Sequence, residues 1–533
     1  MFCGNYILSN RSKWTFYFSK VFNLILQSAV TIFGGKMKKT FKGVIITSAL
    51  LAGLFIGGYQ SQHVSAKSYG KAVTKIAGNG NYAIYHNVSK GGPSGKFTST
   101  EYFKHGQIQS KRYVSTKKGN FWDIYVDGRH VGWVSEKFFT RNTISLAGSV
   151  SVVKNSDYSF PTRDAINYVT DSHGTAVNPN KVKVSKAYVS TSSSTVDYSY
   201  GKAKASLNID VRSGKGEMGE ANLTPKSGFK SVTTWNGGSK SSSRNWNAAH
   251  HYTSETSSNT FRSNGLILRT RLFQPRFVSL GYGQAGDAMG QVGVIPEGIT
   301  VNGGIFTTSM FTSSNNQHGH LVSYNLNAIK SKYAAQNLAT MRWSTFKSYA
   351  KNIKVSPYIK LGHGQSLGSS SSYIYVLAND NKYNNGPRSE EILQIRKSDM
   401  KINKIWTFRI AENRYIHNAT FVGDNTMYAL FYNGGYNNYE YWKLTRSGDS
   451  WTATEVGATK GRFVSNSPVQ GFTYGNGNFY IGFNDHIFKV GKNGTAKKHY
   501  RFNVRREIEG LSANGSNLYV QFAQRAELTQ GRI

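Results

Sequence analysis

Cysteine is almost missing from this chain of 533 residues: Cys3 stands alone, which rules out an intramolecular disulfide framework. Acidic residues are scarce too. Only 27 Asp and Glu face 65 Lys and Arg, a formal net charge of +38, so the chain favours a polyanionic partner. Proline is sparse at nine copies, and few stretches show a 3.6-residue apolar period; the clearest helical candidate is one insert over 334–350. What the chain holds instead is 38% hydrophobic residues, 14% aromatic residues and 55 glycines, which is ample core material in a turn-rich, all-β composition.

The long apolar runs are confined to the start. From Met37, the residues Lys38, Lys39 and Lys42 precede an apolar run over 43–58, and Val64-Ser65-Ala66 follows. That order predicts a secretory signal peptide over 37–66, cleaved after Ala66. The run is short for a membrane span, so no stable span is expected after cleavage. Residues 1–36 hold a second apolar stretch over 21–32 and end in Gly34-Gly35-Lys36; they read as an extension upstream of a true start at Met37. On that reading the mature chain has no thiol, which excludes a cysteine nucleophile and a thiolate metal site. Of the 65 basic residues, seven lie in 1–66, leaving 58 against 27 acids, a net of +31. Export without disulfides suits a Gram-positive surface. Teichoic acids and anionic lipid are nearer to hand there than nucleic acid, which is not an expected partner.

In the C-terminal half one phrase is written five times: a polar residue, a small one, a turn, then an aromatic-rich strand. The copies begin at Glu297, Gln365, Asn418, Gln470 and Glu509, and the small slot falls at Gly298, Ser366, Ala419, Gly471 and Gly510. Steps of 68, 53, 52 and 39 residues separate those slots. A repeat of about 40–50 residues with some four short strands is what a propeller blade needs. The sequence therefore predicts a five-bladed β-propeller over 261–533.

The first residue of each copy should lie on an equivalent inner strand, facing the central channel. Two readings of Glu297, Gln365, Asn418, Gln470 and Glu509 stand side by side. One is a polar ring that hydrates or plugs the channel. The other is a ligand or cation site with Glu297 and Glu509 as its acids, neighbours once a ring of five closes. Five-bladed glycosidases also place carboxylates at this mouth, and two acids about 5–9 Å apart would suit that chemistry. With no third acid at an equivalent position and no electrophile-stabilising cluster, no catalytic residue is assigned.

Other motifs lack the context their chemistry requires. Gly364-Gln365-Ser366-Leu367-Gly368 fits the hydrolase nucleophile pattern, but that elbow needs a strand-to-helix turn in a parallel sheet. Ser366 occupies the small slot of the repeat and reads as a packing residue. Gly281 to Gly286 fits G-x-G-x-x-G without the helix a dinucleotide site demands. His318-Gly319-His320 has two imidazoles and no third ligand nearby; it reads as a polar loop. No metal and no cofactor are expected. The aromatics Tyr428, Tyr432, Tyr436, Tyr439, Tyr441, Trp442 and Trp451 suit either sugar stacking or a blade core, and core is favoured.

Ahead of the propeller, residues 72–147 read as short strands around FWDIYVDGRHVGWVSEKFF, with a hairpin turn at Asp127-Gly128. At Gly132-Trp133 this segment resembles the GW modules, SH3-type barrels that hold Gram-positive surface proteins to the wall through lipoteichoic acid. The resemblance implies wall-polymer contacts from Lys104, Lys111, Arg112, Lys117 and Lys118; Trp133 reads as core before ligand-stacking. Residues 148–212 resemble the small immunoglobulin-like sandwiches used as spacers on bacterial surface proteins, and 213–260 are a Gly/Ser/Asn-rich linker able to supply a strand to the first or last blade. The sequence ends without an LPxTG-like sorting signal, so non-covalent retention by lipoteichoic or wall teichoic acid is expected.

The stretch from Glu297 to Lys332 resembles the helveticin J-like family of large bacteriocins of lactobacilli. The similarity lies in a polar-small start and a glycine-histidine before a strand ending in Tyr324-Asn325-Leu326, with a like rhythm over 469–483 and 508–522. It implies an antibacterial or glycan-binding propeller in a secreted, wall-associated protein. A propeller glycoside hydrolase and an adhesin for host glycans are the alternatives, and glycans or a target-cell envelope are further candidate partners.

Overall fold

The computed structural model describes residues 67–533 apart from 79, 104–107, 127, 148–149, 155–158, 214–239, 242–257, 275–276, 280–288, 292–294, 312–317, 330–347, 379–389, 409–415, 417, 434–437, 460–462, 466, 505 and 524–525. The leader expected over 37–66, the glycine-rich motif at 281–286 and Lys104 lie outside these residues. Of the helix expected over 334–350, the described part, 348–350, is helical. Elsewhere the described chain is built from strands, with a few short 3-10 turns.

The first six strands are β1 (Lys67–Lys75), β2 (Ala83–Ser89), β3 (Gly92–Ser99), β4 (Ile108–Thr116), β5 (Gly119–Val126) and β6 (Arg129–Ser135). They form one sheet in the order β1-β4-β5-β6-β2-β3. One face carries Ile84, Trp122, Ile124 and Val134 into a core closed by Phe138 and Phe139. Closing the curl requires β6 to approach β2, and Gly132 permits it. Its φ is +139°, and a Cβ there would stand 2.8 Å from the Tyr85 carbonyl oxygen, where only glycine fits.

The segment that follows is joined to its neighbours on both sides. Toward the first sheet, the Ile76 amide donates to Gly174 at 3.1 Å and the Ala176 amide donates to Thr74 at 2.9 Å. Toward the rest of the chain, Val150–Val153 pairs in parallel with Ala203–Arg212 on one edge and with Tyr358–Lys360 on the other. One nine-stranded sheet therefore runs from this segment into the first propeller sheet. The strand Ala203–Arg212 alternates buried and exposed residues, as a sheet with one wet face does.

Among the described residues, five larger sheets follow, each led by one copy of the repeated phrase, beside two short two-stranded pairs. Their inner strands are Ile295–Asn302, Leu367–Ser369, Asn418–Phe421, Gly471–Gly475 and Ile508–Asn514. Each packs against the next, and the last packs against the first, so the ring closes. The final sheet has the order Thr260–Ser263, Leu266–Phe273, Glu527–Arg532, Asn517–Phe522, Ile508–Asn514. Its outer strands thus come from the N-terminal side of the propeller, which locks the ring by pairing residues some 260 positions apart, such as Arg269 and Gln530.

Local chemistry explains the arrangement. Two-residue turns with positive φ at both positions, Gly303-Gly304 and Asn476-Gly477, link inner strands to their partners; this is the turn whose twist matches paired strands. A hydrophobic cluster fills each of the five gaps between successive sheets, so inner strands are buried on both faces. The small slot has a steric cause. A Cβ on Gly298 would lie 2.5 Å from the Gln365 carbonyl oxygen, and one on Gly510 would lie 2.9 Å from that of Glu297. Hydroxyls then stitch neighbouring sheets: Ala419 N–H to Ser366 Oγ, Ala513 N–H to Thr473 Oγ1 and Val301 N–H to Ser512 Oγ, each at 2.9 Å.

Candidate functional site

Ring residues come first. Glu297, Gln365, Asn418, Gln470 and Glu509 are all buried at the inner-strand starts. Gln365 Nε2 donates to Gln470 Oε1 at 2.5 Å. Those two residues belong to the second and fourth sheets, so their contact crosses the ring and leaves little bore at that level. Glu297 lies beside Gln365 and Glu509, with its Oε2 unpartnered among the described residues. Asn418, in the intervening third sheet, has neither amide atom partnered among the described residues.

A third acid joins them. Glu507 lies beside Glu509 and accepts a hydrogen bond from Asn484 Nδ2 at 3.2 Å. Glu507 immediately precedes the strand Ile508–Asn514, two residues before Glu509. Burial pushes Glu297 up to about 8. Burial first, then the charges of Glu297 and Glu507, hold Glu509 well above the usual carboxyl range. A proton shared within this cluster removes charge that the site could not solvate. His363 Nε2 stands 4.0 Å from Glu297 Oε2, and burial pushes that imidazole down. Burial holds both Glu297 and Glu509 above the usual carboxyl range, whereas paired glycosidase acids include one that stays ionised.

Ser366 lies in the ring wall, and its hydroxyl accepts the Ala419 amide, a packing task. His318 and His320 correct the loop reading. They are fully buried on the strand His318–Asn325. His318 packs on Phe160 at 4.5 Å, and His320 Nδ1 meets the Ser356 carbonyl at 2.9 Å. Burial lowers His320 to about 4, so both serve as neutral core rings. Among the described residues no group of three acid, histidine or cysteine side chains could hold a metal ion. The described aromatics of 428–451, namely Tyr428, Tyr439, Tyr441, Trp442 and Trp451, are buried in inter-sheet cores.

In the six-stranded sheet, pairing places Arg112, Asp123, Trp133 and Tyr85 in one row across β4, β5, β6 and β2. Arg112 Nε donates to Asp123 Oδ2 at 2.9 Å while its guanidinium lies over the Trp133 ring at 5.2 Å. His130 Nε2 meets Asp123 Oδ1 at 2.6 Å, and that bond raises the imidazole above its ordinary value. Trp133 is buried with Val114 and Phe121, as core. The expected cations do not converge on one point. Lys111 occupies a bulge in β4 near the Tyr125 ring, whereas Lys117 and Lys118 sit on the exposed β4–β5 turn. Lys90, not singled out from sequence, joins them: its carbonyl takes the Lys117 amide, and Lys118 lies over Gly92. Its adjacent Gly-Gly turn was the only hint.

Residues 65–140 match the GW (Gly-Tryp) dipeptide domain. The GW domain points to cell-wall association. No curated protein matches the chain. Similar solved structures include glutaminyl cyclase of Myxococcus xanthus, at 11% identity, covering 52% of this chain and 95% of that one, with a TM-score of 0.29. Virginiamycin B lyase of Staphylococcus aureus matches at 11% identity over 88% of this chain and 100% of its own, with a TM-score of 0.25. Among the described residues no helix is long and apolar enough to cross a membrane.

Proposed function

We propose that this is a secreted, cell-wall-associated binding protein, held non-covalently by its GW domain to lipoteichoic or wall teichoic acid. The propeller would then have a helveticin-like antibacterial or glycan-binding role. The observation that carries the wall reading is the cationic GW surface, where Lys90, Lys117 and Lys118 share one exposed end and Arg112 is fixed over Trp133. Phosphates along a teichoic polymer would meet these cations as exposed ion pairs, which salt screens within about 8 Å at physiological ionic strength. The ring suits a plug or a small polar ligand better than glycoside hydrolysis, because burial holds both Glu297 and Glu509 above the usual carboxyl range.

The test is to incubate the purified protein with Gram-positive cells at low and high salt, scoring binding and killing together. Binding that fades with salt, and fades at low salt in a Lys117→Gln/Lys118→Gln variant, supports wall retention. Salt-insensitive binding overturns it. A clearing zone on related strains separates an antibacterial propeller from a glycan binder, which would adhere without killing.

A further inference from the structure

The fifth propeller sheet carries a basic cavity that neither the GW domain nor the central ring uses. Strand pairing sets Thr260, Arg269, Gln530 and Tyr519 in one cross-strand row. Two residues along, Arg262 pairs with Ile267 and Arg532 pairs with Asn517. Directly paired side chains share a face, so Arg262, Arg269 and Arg532 rise together. A cavity of about 470 Å³ opens there, lined by Arg269, Arg271, Arg532, Thr270, Asn517 and Gln530 among others, with no acid in its wall. Lys498 stands at its lip, its ammonium 3.6 Å from where a Cβ on Gly265 would be. Glu527, on the strand beside Arg269, is already paired with Arg506 at 2.6 Å.

Arg271 supplies the independent observation. Its Nη2 donates to the carbonyls of Leu326 and Ile329, while buried Nη1 has no partner among the described residues. Burial lowers its pKa from the usual arginine value. A guanidinium taken out of water ordinarily sits against a carboxylate or another anion. The sequence after Ile329 supplies none, since 330–347 contains Lys330, Lys332, Arg342 and Lys347 and no Asp or Glu.

We propose that this cavity binds a phosphate group, free or within a phosphodiester polymer. Guanidinium forks arriving from two adjacent strands match the several acceptor oxygens of a tetrahedral oxyanion, which a planar carboxylate does not offer. Gln530 and Asn517 add neutral hydrogen-bonding groups to the wall. The site stands apart from the GW domain and does not depend on the wall reading.

The experiment is calorimetric titration of the whole protein at low ionic strength with inorganic phosphate, with poly(glycerol phosphate) and with acetate. An Arg269→Gln/Arg532→Gln variant alters two exposed residues, and circular dichroism checks its fold. A Lys117→Gln/Lys118→Gln variant isolates the GW domain. Saturable binding weakened at least about tenfold by the arginine changes, and retained in the lysine variant, supports the cavity. Arginine-dependent binding of the polymer alone assigns the phosphate to a phosphodiester chain; binding of both probes assigns a free phosphate site. Affinity unchanged by the arginine changes, or acetate bound as tightly as phosphate, overturns the proposal. Polymer binding lost only in the lysine variant would do so as well while leaving the GW reading intact.

Discussion

Replacing Glu297 with Gln should make the propeller more stable at neutral pH and indifferent to the change in mild acid. The amide keeps the size of the carboxyl and removes the ionisation. In the folded protein Glu297 titrates at about 8 rather than its ordinary 4.5. Its folded pKa is raised, so the native state keeps a proton that the unfolded chain has released across that window. Its stabilising contribution is full below about 4.5 and is lost as pH rises through about 8. Each pH unit in between is worth about 1.4 kcal/mol for one proton, an upper bound on the order of 5 kcal/mol because Glu509 shares in the shift. For a body of this size that moves the melting temperature by on the order of 10 °C.

Glu390, buried in the second sheet and also raised to about 8, adds its own slope. It is present in both proteins and drops out of the difference. The assay is denaturant unfolding followed by tryptophan fluorescence from pH 5 to about pH 8, the window of those raised carboxyls, for wild type and Glu297→Gln. The two should agree at the acid end and diverge as pH rises, with the variant above. Parallel curves would mean that Glu297 ionises freely, and the shared-proton description of the ring would fall with it.

Ser366→Ala should cost about 1–3 kcal/mol, because it leaves the buried Ala419 amide without an acceptor. Cell binding should be unchanged at temperatures where the variant is folded; a large loss of some hydrolytic turnover without loss of stability would restore the nucleophile reading. At the GW domain, the bond from Asp123 raises His130 above its ordinary value, so its stabilising contact is full in acid and lost as pH rises through that raised value. Protonation adds a charge beside Arg112, so retention on an immobilised anionic polymer should strengthen as pH falls through the same range. His130→Gln should flatten the profile, and an unaltered profile would exclude this imidazole as the source.

Legibility from sequence followed the range of the interaction. The repeated phrase fixed the sheets because each strand pair lies within one copy and its turn residues sit at constant offsets. The small slot was readable as packing because repeat position outweighs a short motif, and Ser366 accepts the Ala419 amide there. Pairings without a local signal were hidden. Nothing in Val150–Val153 announces a partner at Tyr358–Lys360, and the assignment of Leu266–Phe273 to the last sheet is set only when the ring closes. Polarity misled at His318 and His320, since aromatic stacking and a carbonyl acceptor let imidazoles enter a core as neutral rings. Glu507 carries no repeat signal, because it precedes the strand Ile508–Asn514 and has no counterpart slot in the other copies.

The joints between segments alter what the GW domain can do for the propeller. A spacer read from composition implies a loose tether, yet both junctions here are made of backbone pairing and buried contacts. Lys75 lies buried with its ammonium 3.3 Å from the Trp122 ring centroid while bonding His173 O and Thr175 Oγ1. Glu136 accepts from Trp122 Nε1 at 2.7 Å and meets His173 Nδ1 at 3.0 Å. On the far side, Arg212 Nη1 reaches the Ile402 carbonyl at 2.9 Å in the second propeller sheet. Freeing either junction would expose a lysine, a glutamate or an arginine whose partners come from the neighbouring segment, a change costing several hydrogen bonds at once. Wall attachment through the GW domain would therefore fix where the propeller is carried. A flexible linker would spread the same two binding surfaces over a volume that grows with its length and lower their effective concentration for one polymer. Held as they are, the GW cations and the arginine-lined cavity keep one separation, and a polymer engaging both loses its own freedom rather than the protein's.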